Sequence, residues 1–161
     1  MSRIAYYVRV STKDKQDYQY QIDTLDNYLN GLGVKLKEVE IDIYSEKESG
    51  YKDDRPELIR LLSKIKEDNS YYSCVYVTEI SRLGRNSKRV REALEVFKEC
   101  RTNLYIKQLG INLLDESGAI NNAGGIVLSI FIELSDAEAR QSKDRFKSGI
   151  CMSSNQSVLF E

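Results

Sequence analysis

The sequence predicts an α/β fold in which a mostly parallel central sheet of about four to five strands is flanked by helices. Two observations predict it. Apolar runs of strand length alternate with helix-length segments along roughly the first two thirds of the 161 residues. A long helical segment then follows without a further strand, and we expect it to leave the sheet.

The elements follow one another in a strand–helix order. Strand-like apolar runs cover 4–10, 34–44, 71–77 and 103–109, and helix-like runs cover 19–32, 56–67 and 87–100. Pro56, the only proline, suits the first turn of the second helix, where its missing N–H costs nothing. We therefore expect three helices to pack on the sheet.

The last predicted helix spans 121–150, which is about 30 residues and roughly 45 Å. Its first half, Ile126–Leu134, is apolar nearly all round and needs burial on every side. A small sheet covers one face, so we expect a second subunit on the other; the alternative is a central helix wrapped by its own domain. The predicted organisation is a compact core over 1–120, this helix over 121–150, and a disordered tail over 151–161.

Composition excludes several kinds of chemistry. The chain has no histidine, which rules out histidine-dependent triads and the usual zinc hydrolase motif. Its three cysteines are widely spaced, which fits neither a disulfide framework nor a metal site and suits a reducing cytoplasm. We find no signal peptide and no run of membrane-spanning length, so we expect a cytoplasmic protein without membrane contact.

Polar residues at the ends of two predicted strands are the candidates for a reaction centre. Arg9 and Ser11 end the first strand, and Ser81-Arg82-Leu83-Gly84-Arg85 follows the third. Open α/β sheets bind ligands at the carboxyl ends of their strands, so these side chains should meet. Guanidinium groups grip phosphate and stabilise a charged transition state. One serine and three arginines therefore suggest a hydroxyl nucleophile facing a phosphate.

In these two motifs the chain resembles the catalytic domain of the serine recombinases, the resolvase/invertase family, from Arg3 to about Gly149. In that family the serine of Y-x-R-V-S-T attacks DNA and becomes linked to a 5′-phosphate, and Ser11 occupies its position here. The resemblance implies a resolvase-like fold, double-stranded DNA as partner, a homodimer that forms a tetramer in the synaptic complex, a long helix that dimerises and approaches DNA, and neither a cofactor nor a metal. The further catalytic residues that it implies are Tyr7, Arg9, Gln21, Arg55 (preceded by Ser49-Gly50), Arg82 and Arg85.

Two positions depart from the family pattern. Ser81 stands where the family usually has an aspartate, and Ala139 stands where the long helix usually carries an active-site arginine. Arg140 lies one residue further on, about 100° round the helix, and is a candidate substitute. For Tyr7 the alternative is a packing role, and for Arg55 it is a salt bridge with nearby acids.

Basic residues are concentrated in two helical stretches. From Arg82 to Arg101 and from Arg140 to Lys147 they outnumber the acids, which makes these stretches candidates for contact with DNA phosphates. Solvated helix faces are the alternative. The predicted DNA-binding residues are Arg9, Arg82, Arg85, Lys88, Arg89, Lys143 and Arg145.

The resemblance implies a site-specific DNA recombinase domain that cuts and rejoins strands through a covalent phosphoserine intermediate. Two alternatives stay open. The departures at Ser81 and Ala139 allow an inactive relative that serves as a DNA-assembly or regulatory module. A hydrolase with a phosphoserine intermediate is the other, but it needs a group that activates water, and none stands beside the motifs.

Overall fold

The computed structural model describes residues 2–11, 15–48 and 55–155. They form five strands and four helices. The strands are β1 (Ser2–Ser11), β2 (Val39–Glu48), β3 (Cys74–Val77), β4 (Asn103–Ile106) and β5 (Ile111–Asn112), and the helices are α1 (Lys15–Gly31), α2 (Pro56–Glu67), α3 (Ser87–Glu99) and α4 (Asn122–Asn155).

The strands form one sheet in the order β2-β1-β3-β4-β5. The first four strands pair in parallel, and the short β5 runs antiparallel to β4. This arrangement confirms the predicted fold class. Parallel neighbours place their carboxyl ends at one edge of the sheet, which is where β1 and β3 deliver the two motifs.

The core lies in two layers, one on each face of the sheet. Side chains alternate between the faces along a strand, so Tyr7 enters the layer with α2, α3 and α4, whereas Tyr6 and Val8 enter the layer with α1. All three are fully buried. A parallel strand buried on both faces reads as a continuous apolar run, which is why β1 could be predicted from sequence.

The second predicted strand was placed too early. Leu36–Glu38 form a 3-10 turn, and β2 begins at Val39 and continues through the charged residues to Glu48. Pairing holds this end in place, since β1 and β2 stay in register from Ser2↔Val39 to Ser11↔Glu48. This end of β2 carries no apolar pattern that could predict a strand, because pairing with β1 and not burial of apolar side chains holds it.

The long helix α4 packs on the core through its beginning. Leu128 and Ile132 are buried, and after Ile132 the described side chains to Ser148 are exposed, apart from a half-buried Asp136. The helix continues past the predicted end at 150 to Asn155, and residues 156–161 of the predicted tail lie outside the described residues. None of the described helices is apolar over enough length to cross a bilayer.

Candidate active site

Gln21 of α1 fixes the backbone of β1 near its end. Its Nε2 donates to the carbonyl oxygen of Arg9 at 2.8 Å, and its Oε1 accepts from the Arg9 N–H at 3.3 Å. The Gln21 side chain is only 1% exposed. The pairing of β1 with β3 covers Ile4–Tyr6, and Arg9 lies beyond it. The side-chain amide of Gln21 therefore satisfies backbone groups of β1 past the paired segment.

Ser11 is the last residue of β1, and its backbone lies opposite Glu48 of β2. The side chain of Ser11 lies outside the part of the structure that is described, and so do Thr12 and the Ser49-Gly50 pair of the motif before Arg55. The described backbone places Ser11 two residues beyond Arg9, at the end of the strand.

Arg82 reaches from the turn after β3 to the same place. Its Nη1 donates to the Arg9 carbonyl oxygen at 3.4 Å, so this carbonyl accepts from both Gln21 and Arg82. The Arg82 side chain is 21% exposed, and its Nε is buried without a hydrogen-bond partner among the described residues. The guanidinium thus keeps donor capacity for an anionic oxygen.

Arg55, which immediately precedes α2, supports Arg82 from the other side. Its Nη1 donates to the backbone carbonyl of Arg82, and the residue is only 6% exposed. Tyr7 lies nearby and is fully buried. Burial raises the pKa of the Tyr7 hydroxyl to about 12, although the positive charge of Arg55 acts in the opposite direction. Tyr7 is therefore a neutral phenol at physiological pH.

Ser81, which stands in place of the family's aspartate, contacts a carboxylate. Its Oγ donates to Oε2 of Glu79 at 3.0 Å, and the same oxygen lies 3.6 Å from Nη2 of Arg82. A carboxylate therefore stands beside Arg82 even though position 81 carries none. Sequence reasoning missed Glu79, because its link to the site depends on the turn Ile80–Arg82.

The site can be compared with known proteins at this point. A family model for the resolvase N-terminal domain matches residues 4–155. The chain belongs to this family of serine recombinases. It is a site-specific recombinase domain and hence an enzyme of the resolvase/invertase type.

Individual relatives agree with this assignment. The chain is 28% identical over 144 residues to the transposon Tn917 resolvase of Enterococcus faecalis. This match covers 89% of this chain and 67% of that protein. It is 31% identical to a resolvase of Clostridium perfringens (strain 13 / Type A), with 89% and 68% covered. The crystal structure of the N-terminal catalytic domain of TP901-1 integrase is 25% identical, with a TM-score of 0.54 over 89% of this chain and 98% of that one.

Glu46 is a second acid near this site that the sequence did not reveal, and unlike Glu79 it is buried. It is 3% exposed, and its Oε2 accepts from the backbone N–H groups of Glu57 at 2.9 Å and Leu58 at 3.2 Å. These are free donors at the start of α2. The N-cap residue Arg55 has no acceptor in its side chain, so β2 supplies the cap. The Arg55-Pro56 start was the only sequence signal that a distant acceptor was needed.

The segment from Gly84 to Arg89 joins the site to α3. A Cβ on Gly84 would lie 2.8 Å from both Arg89 Cβ and Val90 N, so only glycine fits this close approach. Asn86 caps α3 through a 3.0 Å bond from the Arg89 N–H. Arg85 is exposed and lines a cavity of about 190 Å³ between this turn and α4.

The remaining predicted residues lie on exposed helix surfaces. Lys88 and Arg89 are exposed on α3, where Arg89 pairs with Glu92 at 3.6 Å. Arg140, Lys143 and Arg145 are exposed on α4. Arg140 lies roughly 12 Å along the helix beyond Ile132, near Asp136, whose pKa is lowered chiefly by the hydrogen bond from Ser87.

The described residues contain no group of three or more histidine, cysteine, aspartate or glutamate residues able to hold a metal ion. The chemistry that this site offers is electrostatic. Arg9, Arg55 and Arg82 bring three positive charges to the end of β1. The carboxylate of Glu46 holds the start of α2, and the carboxylate of Glu79 lies beside the guanidinium of Arg82.

Proposed function

We propose that this domain cleaves and rejoins double-stranded DNA with Ser11 as the nucleophile. The Ser11 hydroxyl gives up its proton as its oxygen bonds to a DNA phosphorus, the bond from that phosphorus to the 3′-oxygen breaks, and the 3′-oxygen leaves as a hydroxyl by taking up one proton. Religation is the reverse attack by a 3′-hydroxyl. The phosphoserine bond conserves the energy of the phosphodiester, so the exchange needs no nucleotide cofactor.

One observation carries the proposal: Arg82 and Gln21 meet at the carbonyl of Arg9, two residues before Ser11. Arginines at this point can neutralise the phosphate oxygens and stabilise the added charge of a pentacoordinate transition state. We assign phosphate binding to Arg9, Arg82 and Arg85. Gln21 and Arg55 are assigned the placement of Arg9 and Arg82, and Tyr7 a packing role beside them.

The proposed DNA surface extends from this site along two helices. Lys88 and Arg89 on α3 and Lys143 and Arg145 on α4 are exposed cations that can contact phosphates on either side of the cut. Arg140 is the proposed substitute for the arginine missing at Ala139, acting in a DNA-bound assembly. The reaction is proposed to take place in the cytoplasm.

We further propose that α4 forms the interface of a homodimer, which pairs into a tetramer on two DNA sites. Ile126, Val127, Ile130 and Leu134 remain 63%, 49%, 56% and 59% exposed, in a stretch that is apolar on nearly every side. Contiguous apolar surface of this kind marks an interaction site. We expect sedimentation to show a dimer, and we expect Ile130→Asp to dissociate it. Gln141→Asp adds the same charge further along the helix and should leave the dimer intact. A wild-type monomer at high micromolar concentration overturns this assignment.

A trapping experiment tests the chemistry. The full-length recombinase is incubated with its crossover site carrying a nick beside the cut, so that the released end diffuses away and the covalent product accumulates. We expect a protein–DNA adduct through a 5′-phosphate, lost in Ser11→Ala and kept in Ser63→Ala, an exposed serine on α2. A wild-type protein that binds the site without forming an adduct, or an adduct that survives Ser11→Ala, overturns the proposal. The first outcome would favour the inactive relative.

A further inference from the structure

The structure assigns Glu79, held by Ser81, as the carboxylate that positions Arg82 for the phosphate. This inference rests on the proposed function, in which Arg82 binds the scissile phosphate. It also accounts for the departure at position 81. The carboxylate that the family usually places there is supplied two residues earlier in this chain, and Ser81 serves as its hydrogen-bond donor.

The geometry centres on one oxygen atom. Oε2 of Glu79 accepts from Ser81 Oγ at 3.0 Å and lies 3.6 Å from Arg82 Nη2. A hydroxyl has a single proton to donate. Because the hydroxyl donates its one hydrogen bond to Oε2 of Glu79, this bond fixes which carboxylate oxygen faces the guanidinium. Ser81 thereby orients a carboxylate, which a serine can do although it cannot supply one.

Arg82 is held on several sides. Its Nη2 faces Glu79 and its Nη1 donates to the Arg9 carbonyl at 3.4 Å. Its own backbone carbonyl accepts from Arg55. These contacts fix both the plane of the guanidinium and the turn that carries it, while Nε is buried without a hydrogen-bond partner among the described residues. A fixed arginine loses less entropy when it binds a phosphate in the geometry of attack.

The Glu79–Arg82 pair is less exposed than an ordinary surface ion pair of this chain. The Glu79 side chain is 45% exposed and that of Arg82 is 21% exposed. The rival explanation is an ordinary surface pair at positions i and i+3, which contributes little to stability and nothing to catalysis. The chain contains a matched pair of that ordinary kind. Arg89 and Glu92 are also three residues apart, also 3.6 Å apart, and 60% and 51% exposed.

The test compares these two pairs in single-turnover cleavage of the nicked site at saturating DNA. Glu79→Gln and Glu92→Gln each remove one negative charge, so general effects on DNA affinity should match. We expect Glu79→Gln to slow cleavage about tenfold or more with the melting temperature unchanged, and Glu92→Gln to leave the rate unchanged. The double variant Glu79→Gln/Ser81→Asp should recover the wild-type rate to within about threefold, because it returns a carboxylate to the turn.

A second readout does not depend on cleavage. The Nε–H signal of Arg82, assigned with Arg82→Lys, is followed by NMR in the uncleaving Ser11→Ala protein without DNA. We expect Glu79→Gln to shift or broaden this signal and Ser81→Asp to restore it in the double variant. An Arg82 signal indifferent to Glu79→Gln, a cleavage rate equal to that of Glu92→Gln, or a double variant that stays as slow as Glu79→Gln overturns the assignment.

These readouts separate the two proposals. If the wild-type protein forms no adduct but the Arg82 signal still responds to Glu79→Gln, the positioning contact stands and the proposed reaction fails. If the Ser11-dependent adduct forms at the same rate in Glu79→Gln, the reaction stands and the positioning role fails.

Discussion

Replacing Gln21 with leucine should destabilise the domain by about 2 kcal/mol. The change removes the 2.8 Å and 3.3 Å hydrogen bonds that Gln21 makes with the backbone of Arg9. Each bond contributes about 1 kcal/mol net, and a buried backbone group left without a partner costs about 1–3 kcal/mol. Burial of the leucine side chain offsets about 1–1.5 kcal/mol of this loss.

The free energy of unfolding is measured by urea titration, with thermal melting as a second measure. A loss of about 2 kcal/mol corresponds to a fall in melting temperature of about 4–8 °C for a domain of this size. Gln19→Leu is the matched control on the same helix. Gln19 bonds Asp23 at 2.7 Å on an exposed surface, and loss of such an i,i+4 pair should cost about 0.5 kcal/mol or less.

The same variant should slow cleavage, because the Arg9 carbonyl that loses Gln21 also accepts from Arg82. Equal stability of Gln21→Leu and Gln19→Leu would refute the reasoning, since it would mean that the Arg9 backbone finds other partners. Loss of stability with an unchanged cleavage rate would show that Gln21 supports the strand and not the site.

Three further changes test the surroundings of the site. Gly84→Ala should cost about 1–3 kcal/mol, because its Cβ would meet Val90 N at 2.8 Å, whereas Gly31→Ala, which meets nothing within 4 Å, should be neutral or stabilising in the same urea titration. Glu46→Ala should cost about 2–4 kcal/mol because it frees two N–H groups of α2; a loss below about 1 kcal/mol would mean that water replaces the cap. The Tyr7 pKa is raised to about 12, so the folded state holds this proton more tightly, and its contribution is present below pH 10 and lost as the pH rises towards 12. Tyr7→Phe should therefore lose stability less steeply than wild type over that range, and identical slopes would contradict it.

Local pattern predicted most of the fold. The interior runs of β1, β3 and β4 are apolar, and α2 was predicted from Pro56 to Glu67, as observed. The antiparallel strand β5 was not predicted, because Ile111–Asn112 is two residues long and has no periodicity to detect. It exists through its pairing with β4.

The candidate site was predictable to the level of which residues meet. Arg9, Gln21, Arg55 and Arg82 each follow from a motif, and the structure brings them together. Their catalytic roles stay predictions. Glu46 and Glu79 could not be singled out, since the chain has 25 acidic residues and nothing in the local sequence distinguishes these two.

The sequence by itself determined the alternation of strands and helices, the residue types at the two strand ends, and the apolar stretch of α4. These are properties of neighbouring residues, and periodicity and side-chain chemistry report them directly. Tertiary structure alone decided that Glu46 of β2 caps the start of α2 and that the Ser81 hydroxyl donates a hydrogen bond to Glu79 beside Arg82. Such contacts depend on where a turn or a register places one atom, and a change of one residue in register would move every side chain to the opposite face.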